Sequence, residues 1–185
     1  MMFSYAMDEL IDICDSKNNL TNVSKMKSEA HEKGLYHRSA HIWIYNSKGE
    51  LLIQLRAKDK MIFPDMWDVS VAGHIGASED PIISALREIK EEIGLSIEEK
   101  DLGFFKIIKE EIKCNNLMEN EFHYVYFLKF DGDINQLKLQ EEELQSIKFV
   151  GLDELEQELK NNSNNYAPHG KYWFDMIKCI RENLN

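Results

Sequence analysis

Residues 73–95 read GHIGASEDPIISALREIKEEIGL, and their spacing predicts one amphipathic helix with marked ends. Asp80 precedes Pro81, an N-cap followed by a residue already fixed at helical φ. Ile82, Leu86, Ile89 and Ile93 form one apolar stripe of a 3.6-residue period, and Gly94 is the stop. Glu88, Glu91 and Glu92 fall at i, i+3 and i+4, which places them together on the side opposite that stripe. Like charges at those spacings repel by about 0.2–0.5 kcal/mol per pair, and the helix dipole disfavours anions near the C-terminus. A purely structural helix gains nothing from this. A hard divalent cation such as Mg²⁺ turns the repulsion into binding and keeps places for water and phosphate. Arg87 can hold a carboxylate through its planar fork. Taken alone, the three glutamates read most simply as a solvated face; the flanking glycines and Glu79 set the segment apart.

Outward from this helix, residues 9–14 read as a short strand, 15–19 as a turn, and 28–33 as a helical turn closed by Gly34. Residues 41–45 and 51–55 are apolar and β-branched around Asn46-Ser47-Lys48-Gly49, a hairpin signal. Residues 67–75 form another extended segment. Strands are expected at 104–112 and 122–130, joined through the tip CNNLMEN, and at 147–150. Asp153 is expected to cap a helix reaching Lys160, and Pro168 to start a last helix ending near Asn185. Phe104, Phe105, Tyr124, Tyr126 and Phe127 alternate as sheet core, and Trp43 reads as core. The last helix, through Tyr172, Trp173, Met176 and Ile177, packs on the sheet or supports a homodimer. The class is α/β (α+β), a mixed sheet sandwiched by helices.

The 185 residues suit a single domain over 1–185, with an N-terminal extension over about 1–36. A hydrophobic content of 43% and a charged content of 30% are ordinary for a folded protein, which excludes global disorder. The net charge of −11 shows no basic footprint, so neither a nucleic-acid polymer nor an anionic membrane is an expected partner. No apolar run is long enough to span a bilayer. The start, MMFSYAMDEL, lacks the basic region of a signal peptide. Three cysteines far apart (Cys14, Cys114, Cys179) suit the reducing cytoplasm.

The segment resembles the Nudix box, G-x(5)-E-x(7)-R-E-U-x-E-E-x-G-U with U aliphatic, and matches it at every fixed position: Gly73, Glu79, Arg87-Glu88, Ile89, Glu91-Glu92 and Gly94-Leu95. The resemblance implies an α/β/α sandwich and hydrolysis of a nucleoside diphosphate linked to another group, or of a similar small organic diphosphate. It implies Mg²⁺ or Mn²⁺ held by Glu88, Glu91 and Glu92 with the Gly73 carbonyl. Arg87 would orient the carboxylates, and Glu79 and Gly94 would support the box. The base that takes the water proton is placed variably in the family, so Glu88 and one of Glu141, Glu142 or Glu143 are both open. Arg56, Lys58 and Lys60 form a basic patch near the box. Arg56, Lys60 and Trp67 are candidate substrate contacts, with a solvated loop as the plainer reading of the patch and core packing as the plainer reading of Trp67.

KSEAHEKGLYHRSAHIWIYNSKGELL, FPDMWDVSVAGHIG and ENEF also resemble the subgroup that includes isopentenyl-diphosphate isomerase. That resemblance implies a polar cluster or second metal site at His31, His37, His74, Glu119 and Glu121. The isomerase needs a cysteine just before its Gly-His pair, where this chain has Ala72. A methyl group cannot move a proton, so hydrolysis is the expected chemistry. The alternatives are an isomerase-like enzyme and a non-catalytic nucleotide-binding module.

Overall fold

The computed structural model describes residues 8–184; residues 1–7, on which the signal-peptide expectation falls, lie outside the described residues. The chain opens with a hairpin of β1 (Leu10–Cys14) and β2 (Leu20–Met26). Asp15 organises its turn by accepting from the backbone N–H of Lys17 and Asn19. β2 has no counterpart in the sequence reading, because LTNVSKM presents no buried alternate face. α1 (Lys27–Lys33) follows and ends on Gly34, whose φ of 61° is left-handed.

Seven strands build the main sheet: β3 (His37–Tyr45), β4 (Glu50–Arg56), β5 (Trp67–Asp68), β6 (Val71–His74), β7 (Leu102–Cys114), β8 (Leu117–Lys129) and β9 (Leu144–Gly151). The order is β5-β4-β3-β8-β7, with β6 also on β3 and β9 on β4. β3 and β8 run parallel, so the sheet is mixed. The expected β3–β4 hairpin forms but splits after the pair Tyr45↔Leu51. Ser70 fills the split: its hydroxyl accepts from the Ile44 N–H at 2.8 Å and donates to the Leu52 carbonyl at 2.5 Å. This break divides the expected segment 67–75 into β5 and β6, which pair with different strands. The β7–β8 tip is shorter than expected. Leu117 pairs back on Cys114, leaving Asn115-Asn116 as the turn. Phe104 and Phe105 are exposed rather than core, because β7 is an edge strand with a register shift at that point.

Strand alternation sorts the sheet into two faces. Ile42, Ile44, Leu52, Val71, Tyr126 and Leu128 pack with α2 (Pro81–Ile93). Trp43, Leu51, Ile53, Val125, Phe127 and Val150 pack with α3 (Leu152–Asn161) and α4 (Lys171–Leu184). The result is the expected α/β/α sandwich. α3 begins at Leu152, so Asp153 lies in its first turn instead of capping it, and pairs with Arg181 of α4. α4 begins after Gly170 (φ 52°) and not at Pro168. Tyr172, Trp173, Met176 and Ile177 are buried within the chain, so that face is not offered to a partner. Among the described residues no helix is long and apolar enough to cross a membrane.

Candidate functional site

α2 forms as its sequence dictates. The Asp80 carboxylate accepts from the Ile82 N–H at 3.1 Å, and Gly94 closes the helix at φ 68°. Its acidic residues depart from expectation. Ser84, Ala85, Glu88, Ile89, Glu92 and Ile93 are all buried, so Glu88 and Glu92 flank the apolar stripe and turn inward, not to the opposite side. Glu91 alone stays half-exposed. Burying Ile89 and Ile93 is worth about 1.5–3 kcal/mol each, more than the like-charge repulsion costs. That packing holds the two carboxylates against the sheet.

Arg87 gathers the acidic groups. Its guanidinium donates to Glu79 (3.0 and 3.2 Å), Glu88 (2.6 Å), Glu91 (3.1 Å) and the His74 carbonyl (3.1 Å). Glu79 also accepts from the Ser84 hydroxyl at 2.6 Å and the Gly76 N–H at 3.2 Å, which ties the loop before the helix to it. Glu92 accepts from Gln54 at 3.3 Å. Gly73 leaves the space that Glu88 fills: a Cβ there would come within 2.0 Å of the Glu88 carboxyl carbon. Burial pushes the Glu88 carboxyl up to about 7 against the pull of Arg87. Burial and the Glu88 charge push Glu92 well above the usual carboxylate range. Two buried acids that resist ionisation together, facing one cavity, are a donor set that a divalent cation fits.

The cavity, about 100 Å³, opens where β3 and β4 diverge, and its opposite wall is made by β3 and β8. Their parallel register pairs His37 with Glu121 and Ser39 with His123, grading on the same face into the apolar pair Trp43 and Phe127. His74 enters from β6 opposite Ser39, and His31 from α1. His37 Nε2 and His74 Nε2 lie 3.1 and 3.4 Å from Glu121 Oε1, and the His31 and His74 Nε2 atoms lie 3.2 Å apart. One ligand atom from each of these four residues lies within 4.8 Å of the others. Glu119 lines the cavity but stands outside this four-residue group. Burial, then the Glu121 charge, pushes Glu119 up to about 8. Burial opposes the Glu121 charge, yet His37 and His74 hold it well below the ordinary range. Burial pulls His31 down to about 3 and His74 to about 4.

Of the distal candidates, Glu143 reaches the cavity and pairs with Lys60, whereas Glu141 and Glu142 are exposed away from it. Arg56 lines the cavity but is committed to Asp68 at 3.0 Å and to the carbonyls of Ile62 and Phe63. Lys58 is exposed, and Trp67 lies under Lys148, 4.4 Å from its ring centre, outside the cavity wall. The sequence reading missed His41, Asp68, Glu110, His123 and His169. Alternation from His37 and from Glu121 could have flagged His41 and His123. His169 lies in an irregular loop with no periodicity to mark it.

A family model for the NUDIX domain matches residues 35–170. Nudix hydrolase 3 of Arabidopsis thaliana is 34% identical over 181 residues, covering 92% of this chain; the chain spans only 23% of that protein's length. An isopentenyl-diphosphate Delta-isomerase of Serratia proteamaculans is 30% identical over 168 residues, covering 91% of this chain and 88% of the isomerase. The crystal structure of DR0079 from Deinococcus radiodurans shares the fold, with a TM-score of 0.65 at 19% identity over 94% of this chain and 98% of that one.

Proposed function

The chain belongs to the Nudix family, and from that membership we propose that it is a divalent-metal-dependent pyrophosphohydrolase. Its substrate is a nucleoside diphosphate derivative or a similar organic diphosphate, cleaved at a P–O–P bond. The observation that carries this reading is the burial of Glu88 and Glu92 side by side against one cavity. Mg²⁺ or Mn²⁺ bound there would neutralise the diphosphate and acidify a water molecule. Glu88, Glu91, Glu92 and the Gly73 carbonyl would hold the ion. Arg87 keeps Glu88 and Glu91 aimed, and Glu79 keeps Arg87 in place. Glu143, across the cavity and held by Lys60, can accept the water proton, as can Glu88. Lys60 and Lys27 bring positive charge to an otherwise acidic wall. Three unpaired cysteines favour a reducing, cytoplasmic setting.

The test is turnover of a panel of nucleotide and non-nucleotide diphosphates with and without Mg²⁺. Activity should require the metal and fall by at least about 100-fold in Glu92→Gln, with the circular dichroism spectrum unchanged. Full activity in that variant defeats the assignment. A second reading, isomerase chemistry on a prenyl diphosphate, is favoured by the His31, His37, His74 and Glu121 group. Against it, Ala72 lines the cavity opposite His41 and offers no proton. Deuterium uptake from D₂O into isopentenyl diphosphate would restore it.

A further inference from the structure

Beside the His31, His37, His74 and Glu121 group, two more histidines and a carboxylate converge from distant parts of the chain. Glu110 comes from β7, His123 from β8 and His169 from the loop before α4. Glu110 Oε2 lies 3.1 Å from His123 Nε2 and 2.6 Å from His169 Nδ1. One ligand atom from each residue lies within 4.8 Å of the others. Both imidazoles are nearly sealed from solvent, with side-chain exposures of 3% and 4%.

We propose that Glu110, His123 and His169 form a second metal site, for a zinc-class transition-metal ion, with an open coordination position facing the cavity. Tetrahedral metal–ligand bonds of ~2.1 Å set neighbouring donors about 3.4 Å apart, so these atoms, 2.6 and 3.1 Å apart as hydrogen-bond partners, need to open by less than about 1 Å to admit an ion. The nitrogen of each ring that faces away from Glu110 is also engaged. His169 Nε2 meets Asp68 Oδ1 at 2.9 Å, and Asp68 is in turn anchored by Arg56 at 3.0 Å. His123 Nδ1 meets the Ser39 hydroxyl at 2.7 Å. The His41 ring stacks on His123 with centroids 3.8 Å apart and fixes its plane. Outer partners of this kind orient a ligating imidazole and settle which nitrogen is free to bind. Two imidazoles and one carboxylate suit Zn²⁺ or Co²⁺, whereas Mg²⁺ prefers oxygen alone. His123 and His169 line the cavity, so the fourth position opens there to water or to an anionic ligand oxygen. The same ion would staple the lead-in of α4 to β7 and β8. The site uses none of Glu88, Glu91 and Glu92, so it stands or falls apart from the hydrolase reading.

The test is zinc stoichiometry by elemental analysis after gel filtration of the full chain. In a His37→Gln/His74→Gln background, which removes the neighbouring histidine group, one tightly held zinc should remain. Adding His169→Gln should weaken it at least about 10-fold, and Asp68→Asn, which keeps all three ligands, should weaken it by ~10–100-fold. Loss of all zinc in the background variant, or zinc indifferent to His169→Gln, overturns the proposal. Because these variants can misfold, the unaltered chain provides the second arm. Crystals grown with Zn²⁺ should give an anomalous peak between Glu110 Oε2, His123 Nε2 and His169 Nδ1. Peaks only elsewhere would mean that the cluster is a hydrogen-bonded network, with His169 protonated between Glu110 and Asp68.

Discussion

Gly73 shows how much one missing methyl group decides. On β6 it faces α2, and the space a Cβ would take belongs to the Glu88 carboxylate. Glu88 is held by Arg87 and cannot swing clear without breaking that contact. Gly73→Ala should therefore displace Glu88, cost about 1–3 kcal/mol by overpacking, and reduce turnover far more than its effect on melting would suggest. Paired thermal melts and rate measurements check this; an alanine variant of normal stability and rate would refute the role given to the glycine. The identities of Gly73, Arg87 and the glutamates were legible in the sequence because their spacing is local. That Glu88 and Glu92 are buried while Glu91 is not was illegible, since helix periodicity alone does not say how wide a face the sheet will cover.

At the scale of elements, α2 was readable from end to end: Asp80 caps it, Gly94 stops it, and both act through contacts within a few residues. The β3–β4 hairpin was readable as a hairpin, but its splitting was not. Ser70 is remote from both strands in sequence, yet its hydroxyl replaces the ladder bond they lose. Ser70→Ala should leave the Ile44 N–H buried without an acceptor and destabilise the chain by about 1–3 kcal/mol. Urea unfolding should show a lower midpoint at unchanged slope. No change in midpoint would mean that water or strand closure takes over the bond. The split also lets β6 pair with β3, which brings Ala72, Gly73 and His74 to the cavity wall.

For the whole molecule, the cavity concentrates acids and histidines that repel one another or resist charging in the absence of a cation. An ion that binds only the folded chain stabilises it by about 2.7 kcal/mol at a hundredfold excess over its Kd. For a domain of this size that is a rise in Tm on the order of 5–10 °C. Mn²⁺ or Zn²⁺ should raise the melting temperature by that order, and a chelator should reverse it. A melting curve indifferent to both ions would contradict every metal site described above. The acidic charge, by contrast, is a property of composition and calls for no fold to explain it.

The linear chain by itself determined the helix that carries the glutamates, the alternating strands and the two-faced sandwich, because those depend on periodicity and on caps a few residues away. Through resemblance to a family it also grouped His31, His37, His74, Glu119 and Glu121, of which the structure brings all but Glu119 into one cluster. Only the tertiary structure decided that Glu142 stays outside while Glu143 enters, that Phe104 and Phe105 face solvent, and that His169 meets Glu110 across the sheet. These depend on which strand ends at an edge and which loop crosses it. Such contacts join residues dozens of positions apart, and no local pattern encodes them.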